Sequence, residues 1–174
     1  MKNSTKILLV LLTLSTAACT RPDRFGAGAT DGASASADAA VDQSALGGAN
    51  DPNSPVYFAQ TIGDRVLFEV DQSTLTAAGQ ATLDGQAQWL LTNSDYQAII
   101  EGHADEQGLR EYNLALGGRR ANAVREYLVS KGVPTERMRV ISYGKERPIE
   151  ICSNETCFSK NRRAVTIISS AATS

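Results

Sequence analysis

From Arg65 to Ser170 the apolar positions switch repeatedly between a period of two and a helical period. Arg65-Val66-Leu67-Phe68-Glu69-Val70 is rich in β-formers and predicts a first strand, ended by the turn and cap cluster Asp71-Gln72-Ser73-Thr74. Leu75, Leu83, Ala87, Leu90 and Leu91 then recur at helical spacing as far as the Thr92-Asn93-Ser94 break, with Thr76 placed to cap the helix. Gln97-Ala98-Ile99-Ile100-Glu101 predicts a second strand, which delivers Gly102-His103-Ala104-Asp105 at its carboxyl end. A second helix is expected from about Leu109 to Ser130, striped by Tyr112, Leu116, Ala123, Val124, Tyr127 and Leu128 and closed by Lys131-Gly132. Met138 to Tyr143 and Ala164 to Ser169 read as the third and fourth strands. The order β-α-β-α-β-β predicts an α/β fold, a two-layer sandwich with a small mixed sheet and its helices on one face. Nothing repeats at a fixed period, which argues against a solenoid.

Ahead of this domain the pattern changes character. Lys2 and Lys6 precede the run Ile7-Leu8-Leu9-Val10-Leu11-Leu12, which is too short to span a bilayer, and Ser15-Thr16-Ala17-Ala18 leads to Cys19. This resembles a bacterial lipoprotein signal over residues 1–18, with Cys19 as the lipidated residue, although Thr16 stands where such signals usually carry leucine. Several acyl chains on Cys19 would anchor the chain firmly without a membrane-spanning helix. Thr20 follows the cysteine in place of the aspartate that retains lipoproteins in the inner membrane, so the outer membrane is the expected address, with the domain facing the periplasm. An ordinary secreted protein cut near Ala18 is the competing reading.

Residues 19–55 are mostly Ala, Gly, Ser, Asp and Asn, with Phe25, Val41 and Leu46 nearly the only large apolar side chains. Such a segment buries too little surface to offset its ordering entropy and reads as a flexible tether, with an r.m.s. reach of roughly 30–35 Å. Residues 56–174 then form one domain, large enough for a single core. The formal net charge is −2, and the signal carries two lysines away, leaving a modestly acidic chain. No basic stretch is dense enough for a nucleic-acid footprint.

Cys152 and Cys157 are separated by four residues. In an oxidising compartment they are placed to close a small disulfide ring. Zinc would need a second ligand pair, which a chain with the single histidine His103 does not offer, so no metal or other cofactor is expected.

Arg120 lies four residues from both Leu116 and Val124, on or beside the buried stripe, and a guanidinium there needs a reason. Gly117 and Gly118, inside the same helix, would let a ligand or a backbone approach closely. Asp105 stands at a strand's carboxyl end, where open α/β sheets bind ligands. A carboxylate and a guanidinium at fixed separation can grip the ammonium and carboxylate of one zwitterionic centre. They can equally pair with each other as a structural salt bridge, and spacing alone leaves the two readings level. If they grip a ligand, replacing either by alanine is expected to abolish binding and leave folding nearly intact.

The stretches Gly102-His103-Ala104-Asp105-Glu106-Gln107-Gly108, Glu111-Tyr112-Asn113-Leu114-Ala115-Leu116-Gly117 and Arg119-Arg120-Ala121 resemble the signature of OmpA-like peptidoglycan-binding domains. Ile141 to Pro148 and Asn161-Arg162-Arg163-Ala164-Val165 extend the likeness across the whole domain. With the signal and tether, the chain is similar to the lipid-anchored members of that family that work with the Tol system. The resemblance implies that Asp105 holds the ammonium of a stem-peptide diaminopimelate and Arg120 its carboxylate. It places Asn113 and Leu116 along the same pocket and Asp71 at its rim, with Arg163, or failing that Arg162, approaching from the last strand. Glu69-Val70 in place of the commoner aromatic before Asp71, and Gly117 in place of a serine, are departures at the rim. The implied partners are peptidoglycan, TolB and the inner-membrane TolA, and the implied role is to keep the outer membrane attached during cell constriction.

An enzyme acting on the wall is the rival class. Neither a Gly-x-Ser-x-Gly elbow nor an HExxH pair is present, and His103 is expected to be a packed, hydrogen-bonded structural residue. A protein-binding adaptor without wall binding is the other alternative.

Overall fold

The computed structural model describes residues 48–170; the signal, Cys19, most of the expected tether and the last four residues lie outside that range. Four strands and four helices follow in the order α1 (Pro55–Tyr57), β1 (Arg65–Leu67), α2 (Ala77–Thr92), β2 (Tyr96–His103), α3 (Arg110–Ser130), β3 (Met138–Gly144), α4 (Glu155–Asn161) and β4 (Arg163–Ser170). A π-helical turn, Phe58–Gly63, continues α1, and a 3-10 turn, Thr135–Arg137, leads into β3.

The sheet has the order β1-β4-β2-β3. β2 runs parallel to β3 and antiparallel to β4, and β1 closes the other edge antiparallel to β4. A parallel pair cannot be joined by a tight turn, so α3 supplies the crossover between β2 and β3. Ala98, Ile100 and Gly102 of β2 sit opposite Ile168, Thr166 and Ala164 of β4 on one face, and α2 and α3 cover that face. Leu83, Leu90, Ile100 and Leu128 are fully buried there, each contributing roughly 1.5–3 kcal/mol of transfer free energy. The expected two-layer α/β sandwich is therefore the observed one.

The elements are set by local chemistry. Thr76 caps α2 as expected, its hydroxyl accepting from Gly79 N–H at 3.1 Å. The carboxyl end of α2 is closed by Arg137, which donates to Leu90 O and Asn93 O at 2.8 Å and to Tyr96 O. The chain packs upstream of Val56 as well. Trp89 Nε1 donates to Pro52 O at 2.7 Å, and Ser54, which is buried, caps α1. Phe58 and Tyr96 flank the Trp89 ring with centroids at 5.0 and 5.3 Å.

Two differences from the pattern reading matter. β1 stops at Leu67 rather than Val70, because Phe68 turns its N–H to Arg162 O and its carbonyl to Arg162 Nε. The cysteine segment, to which the pattern assigns no helix, contains α4, capped by Asn154, whose side chain accepts from Cys157 N–H. The Cys152–Cys157 disulfide is formed, with Cα atoms 5.8 Å apart, and it closes a ring around that cap.

α3 lies unusually close to the sheet where Gly102 meets Gly117. A Cβ on Gly102 would sit 1.8 Å from Gly117 O, and one on Gly117 would sit 2.5 Å from Ser142 Oγ and 2.7 Å from Gly102 O. What Gly117 admits is therefore backbone. Gly118, by contrast, has room, with Ser142 Cβ at 3.9 Å. Gly102→Ala should destabilise the fold by about 3 kcal/mol or more through overpacking, whereas Gly118→Ala should gain about 0.5–1 kcal/mol of helix propensity. Urea denaturation of the two variants measures both signs.

Candidate functional site

Three segments converge at the carboxyl end of β2 and enclose a cleft of about 190 Å³. The β1–α2 turn brings Val70 and Asp71, the β2–α3 turn brings Asp105, Gln107 and Gly108, and the first turns of α3 bring Tyr112, Asn113 and Leu116. The register of β2 against β3 shifts between Gly102 and His103, and Ala104 N–H then bonds Gly144 O at 2.8 Å. That irregularity bends the strand end and aims the following turn at the cleft.

The two lips of the cleft each carry a carboxylate. Asp105 is nearly buried; Oδ1 accepts from Gln107 N–H at 3.2 Å and Oδ2 faces Arg162 Nη1 at 3.3 Å. Asp71 is the one non-glycine residue with positive φ among the described residues, at 57°, a left-handed conformation that aspartate tolerates in turns. Its Oδ1 accepts from the Tyr112 hydroxyl, which raises the pKa of the phenol by favouring its protonated form. Asn113 is buried and donates from Nδ2 to Gln107 O at 2.6 Å, holding the β2–α3 turn in shape, and Leu116 forms an apolar wall.

Arg120 lies outside the lining, fully buried. Its guanidinium donates from Nε to Gln72 O at 2.8 Å, from Nη1 to His103 O at 2.8 Å and from Nη2 to Glu69 O at 3.1 Å, and it lies over the Phe68 ring with its central carbon 5.2 Å from the centroid. One side chain thus ties the β1–α2 turn to the end of β2. Three of its five N–H donors are accounted for by these carbonyls. Burial pulls its pKa down to about 10, partly offset by the charge of Asp105, so it remains a cation at neutral pH.

The expected residues are therefore only partly assembled. Asp71, Asp105, Asn113 and Leu116 share the cleft. The salt bridge reading for Asp105 and Arg120 does not hold, since the ion-pair partner of Asp105 is Arg162. Arg163, preferred over Arg162 from the resemblance, points elsewhere and donates to Asn161 O and Arg147 O. Against the expectation that Arg120→Ala leaves the fold nearly intact, Gln72 O and His103 O would each lose the Arg120 donor, while Glu69 O would keep Gln72 N–H at 3.2 Å.

Arg162 was legible only as the lesser of two adjacent arginines, and Tyr112 only as part of an apolar stripe. Glu155, which binds both Nη atoms of Arg162, carried no sequence signal.

His103 is packed as expected but is not hydrogen-bonded through its ring. Neither ring nitrogen has a hydrogen-bond partner among the described residues; Glu101 Oε2 stands 3.6 Å from Nε2, and the ring stacks on Tyr143 at 5.6 Å. Burial, reinforced by the positive charges of Arg163 and Arg147, lowers its pKa from 6.5 to about 4. His103 does not line the cleft.

Residues 67–162 match the model of the OmpA family. A protein of Rhizobium meliloti (strain 1021) named Peptidoglycan-associated lipoprotein is 56% identical over 124 residues, covering 71% of this chain and 70% of that one. A protein of the same name from Pseudomonas aeruginosa is 38% identical over 141 residues, covering 81% of each chain. The crystal structure of the peptidoglycan-associated lipoprotein from Burkholderia pseudomallei is similar with a TM-score of 0.62 at 38% identity, over 70% of this chain and 98% of that one. The C-terminal domain of Helicobacter pylori MotB shares the fold, with a TM-score of 0.58 at 22% identity over 63% of this chain and 86% of that one.

Arg120→Met should cost about 3–5 kcal/mol, as expected when a buried cation leaves its acceptors unpaired, whereas Asp105→Asn, which keeps an oxygen for Gln107 N–H, should cost about 1–2 kcal/mol. Chemical denaturation of the two variants separates the values. His103 is neutral in the fold, so its contribution is fully present above pH 6.5 and is lost as the pH falls from 6.5 towards 4. Between pH 7 and pH 4 the wild type should lose about 2–3 kcal/mol more stability than His103→Gln, read from urea midpoints across that range.

Proposed function

The chain belongs to the OmpA family, and on that premise we propose that it is a non-catalytic, lipid-anchored wall binder. Its domain holds peptidoglycan through the diaminopimelate of the stem peptide. The observation that carries this reading is the pair of carboxylates, Asp71 and Asp105, which two different turns bring into one small cleft with an apolar wall. Two anions and no cation in the lining select an ammonium group, and Asp105, being nearly desolvated, would contribute most of the attraction.

For the carboxylate on the same carbon the reading keeps Arg120, which is buried outside the cleft lining and has two N–H donors beyond those given to Gln72, His103 and Glu69. Asn113 keeps the Gln107–Gly108 edge in place, and Arg162 has the role at the last strand that the resemblance gave to Arg163. No step of bond cleavage is assigned. His103 is buried beneath Tyr143 and outside the cleft, where it is badly placed to activate water for a bound peptide.

The remaining parts of the reading follow from the amino-terminal segment. Cys19 carries the lipid, the segment between it and the packed Pro52–Ser54 gives the reach, and the domain works from the periplasmic side of the outer membrane. No helix among the described residues is long and apolar enough to cross a membrane. The relatives' shared name, Peptidoglycan-associated lipoprotein, supports the assignment of wall and lipid together. TolB and TolA are the proposed protein partners, and constriction of the envelope during division is the proposed setting.

Titration of the full chain in detergent with a meso-diaminopimelate stem peptide should give saturable binding without cleavage. The lysine-containing analogue, lacking the side-chain carboxylate, should bind at least tenfold more weakly. Asp105→Asn should lose about 2 kcal/mol or more of binding free energy while remaining folded. Equal binding of both peptides would remove Arg120 from the site. Binding of neither would leave a protein-binding adaptor as the function.

A further inference from the structure

Arg162 is held by two carboxylates at once. Its Nη2 and Nη1 both face Glu155, in a bidentate grip with Nη1 at 3.4 Å from Oε2, while only Nη1 reaches Asp105, at 3.3 Å. Nε is taken by Phe68 O at 3.2 Å, so the guanidinium has little freedom to turn. The Arg162 side chain is 4% exposed and that of Asp105 11%, whereas that of Glu155 is 65% exposed. The three groups together carry a net charge of −1.

The fold fixes Glu155 in this place with some effort. Glu155 is the first residue of α4, where the helix N-terminus favours a negative charge, and the Cys152–Cys157 ring closes around that end. At the other end of α4, Asn161 donates to Glu106 Oε1 at 3.0 Å and accepts from Ile149 and Glu150 N–H. The helix is thereby tied to the same turn that carries Asp105.

Resting on the wall-binding reading above, we infer that Glu155 is a positioning and specificity-determining residue of the cleft, although it does not touch the ligand. By taking the bidentate share of Arg162, it leaves Asp105 only partly neutralised and available to a ligand ammonium. Without the Glu155 charge, Arg162 would belong to Asp105 alone, and the pair would present no net charge to the cleft. The lowered pKa of Glu155, caused first by its bond to Arg162, keeps the carboxylate ionised through the neutral range. The disulfide acts in the same direction by holding the start of α4.

The test uses the full chain in detergent and the meso-diaminopimelate stem peptide. Glu155→Gln keeps an acceptor for Arg162 but removes the charge; it should weaken binding about three- to tenfold, and the loss should shrink as salt is raised. Glu155→Asp, which restores the charge, should recover part of the affinity. The Cys152→Ser/Cys157→Ser double variant should bind more weakly and should expose the Gln107 amide, bonded to Asp105, to faster hydrogen exchange. Wild-type affinity in Glu155→Gln, or an equal loss in the Gln and Asp variants, would overturn the inference and leave Glu155 with a structural part only. Failure of the wild type to bind the peptide would overturn the wall-binding reading, and this inference with it.

Discussion

The buried guanidinium of Arg120 is the constraint on which the rest of the site depends. The chain leaves the sheet after Leu67 and enters α2 at Ala77, and on the way Glu69 and Gln72 present carbonyls that lie outside both elements. Arg120 satisfies both and adds His103 O at the end of β2, so two turns far apart in sequence are fixed to a single planar fork. Lysine could not do this, since its ammonium cannot reach three coplanar acceptors at once. Desolvating the cation is costly, and the nearby negative charges of Asp105 and Asp71 offset part of that cost. The anions of the cleft therefore have a structural counterpart beneath it, and site and scaffold cannot be separated there.

The Gly102–Gly117 contact is what lets that fork reach. With any larger residue at either position α3 would stand further from β2, and Arg120, one turn beyond Gly117, would lose His103 O first. Close backbone approach, guanidinium reach and cleft shape are thus one geometric problem with one solution. A second arginine acts on the cleft through Asp105. Arg162 joins the last strand to Phe68 through two backbone-level contacts and then spends its Nη atoms on Asp105 and Glu155. Arg120 fixes where the turns are, and Arg162 sets how much of the charge of Asp105 remains available.

Much of this was legible in the chain. Period switching located β2, α3, β3 and β4 to within a residue or two, because each buries one face against the other layer and so shows its period. β1 was overextended because Phe68 and Val70 have strand-like side chains, while what ends the strand is a tertiary bond to Arg162 that no local pattern displays. α4 was missed because seven residues stapled by a disulfide need little amphipathic pattern to be helical. Arg120 was noticed for the right reason, a charge in a buried stripe, but two of its three carbonyl partners, Gln72 O and Glu69 O, are 48 and 51 residues away and only the fold brings them together. Choosing between Arg162 and Arg163 required the twist of the chain at the start of β4, where adjacent side chains diverge to opposite faces.

That divergence has a further consequence for how the sheet is used. Arg163 goes to the face opposite α2 and α3, beside Arg147, which lies over Tyr143 at 3.7 Å, and Tyr143 in turn stacks on His103. Its charge is placed against an imidazole that stays neutral, and it helps to hold that imidazole neutral. The same strand end therefore offers its backbone carbonyl at His103 to one arginine and its ring to the field of two others. A protonated His103 would meet positive charge from Arg163 and Arg147 on the side of its ring. Burial, with those two charges, keeps His103 neutral, and among the described residues no hydrogen-bond partner of its ring nitrogens favours a proton there, so this part of the strand adds no charge beside the cleft.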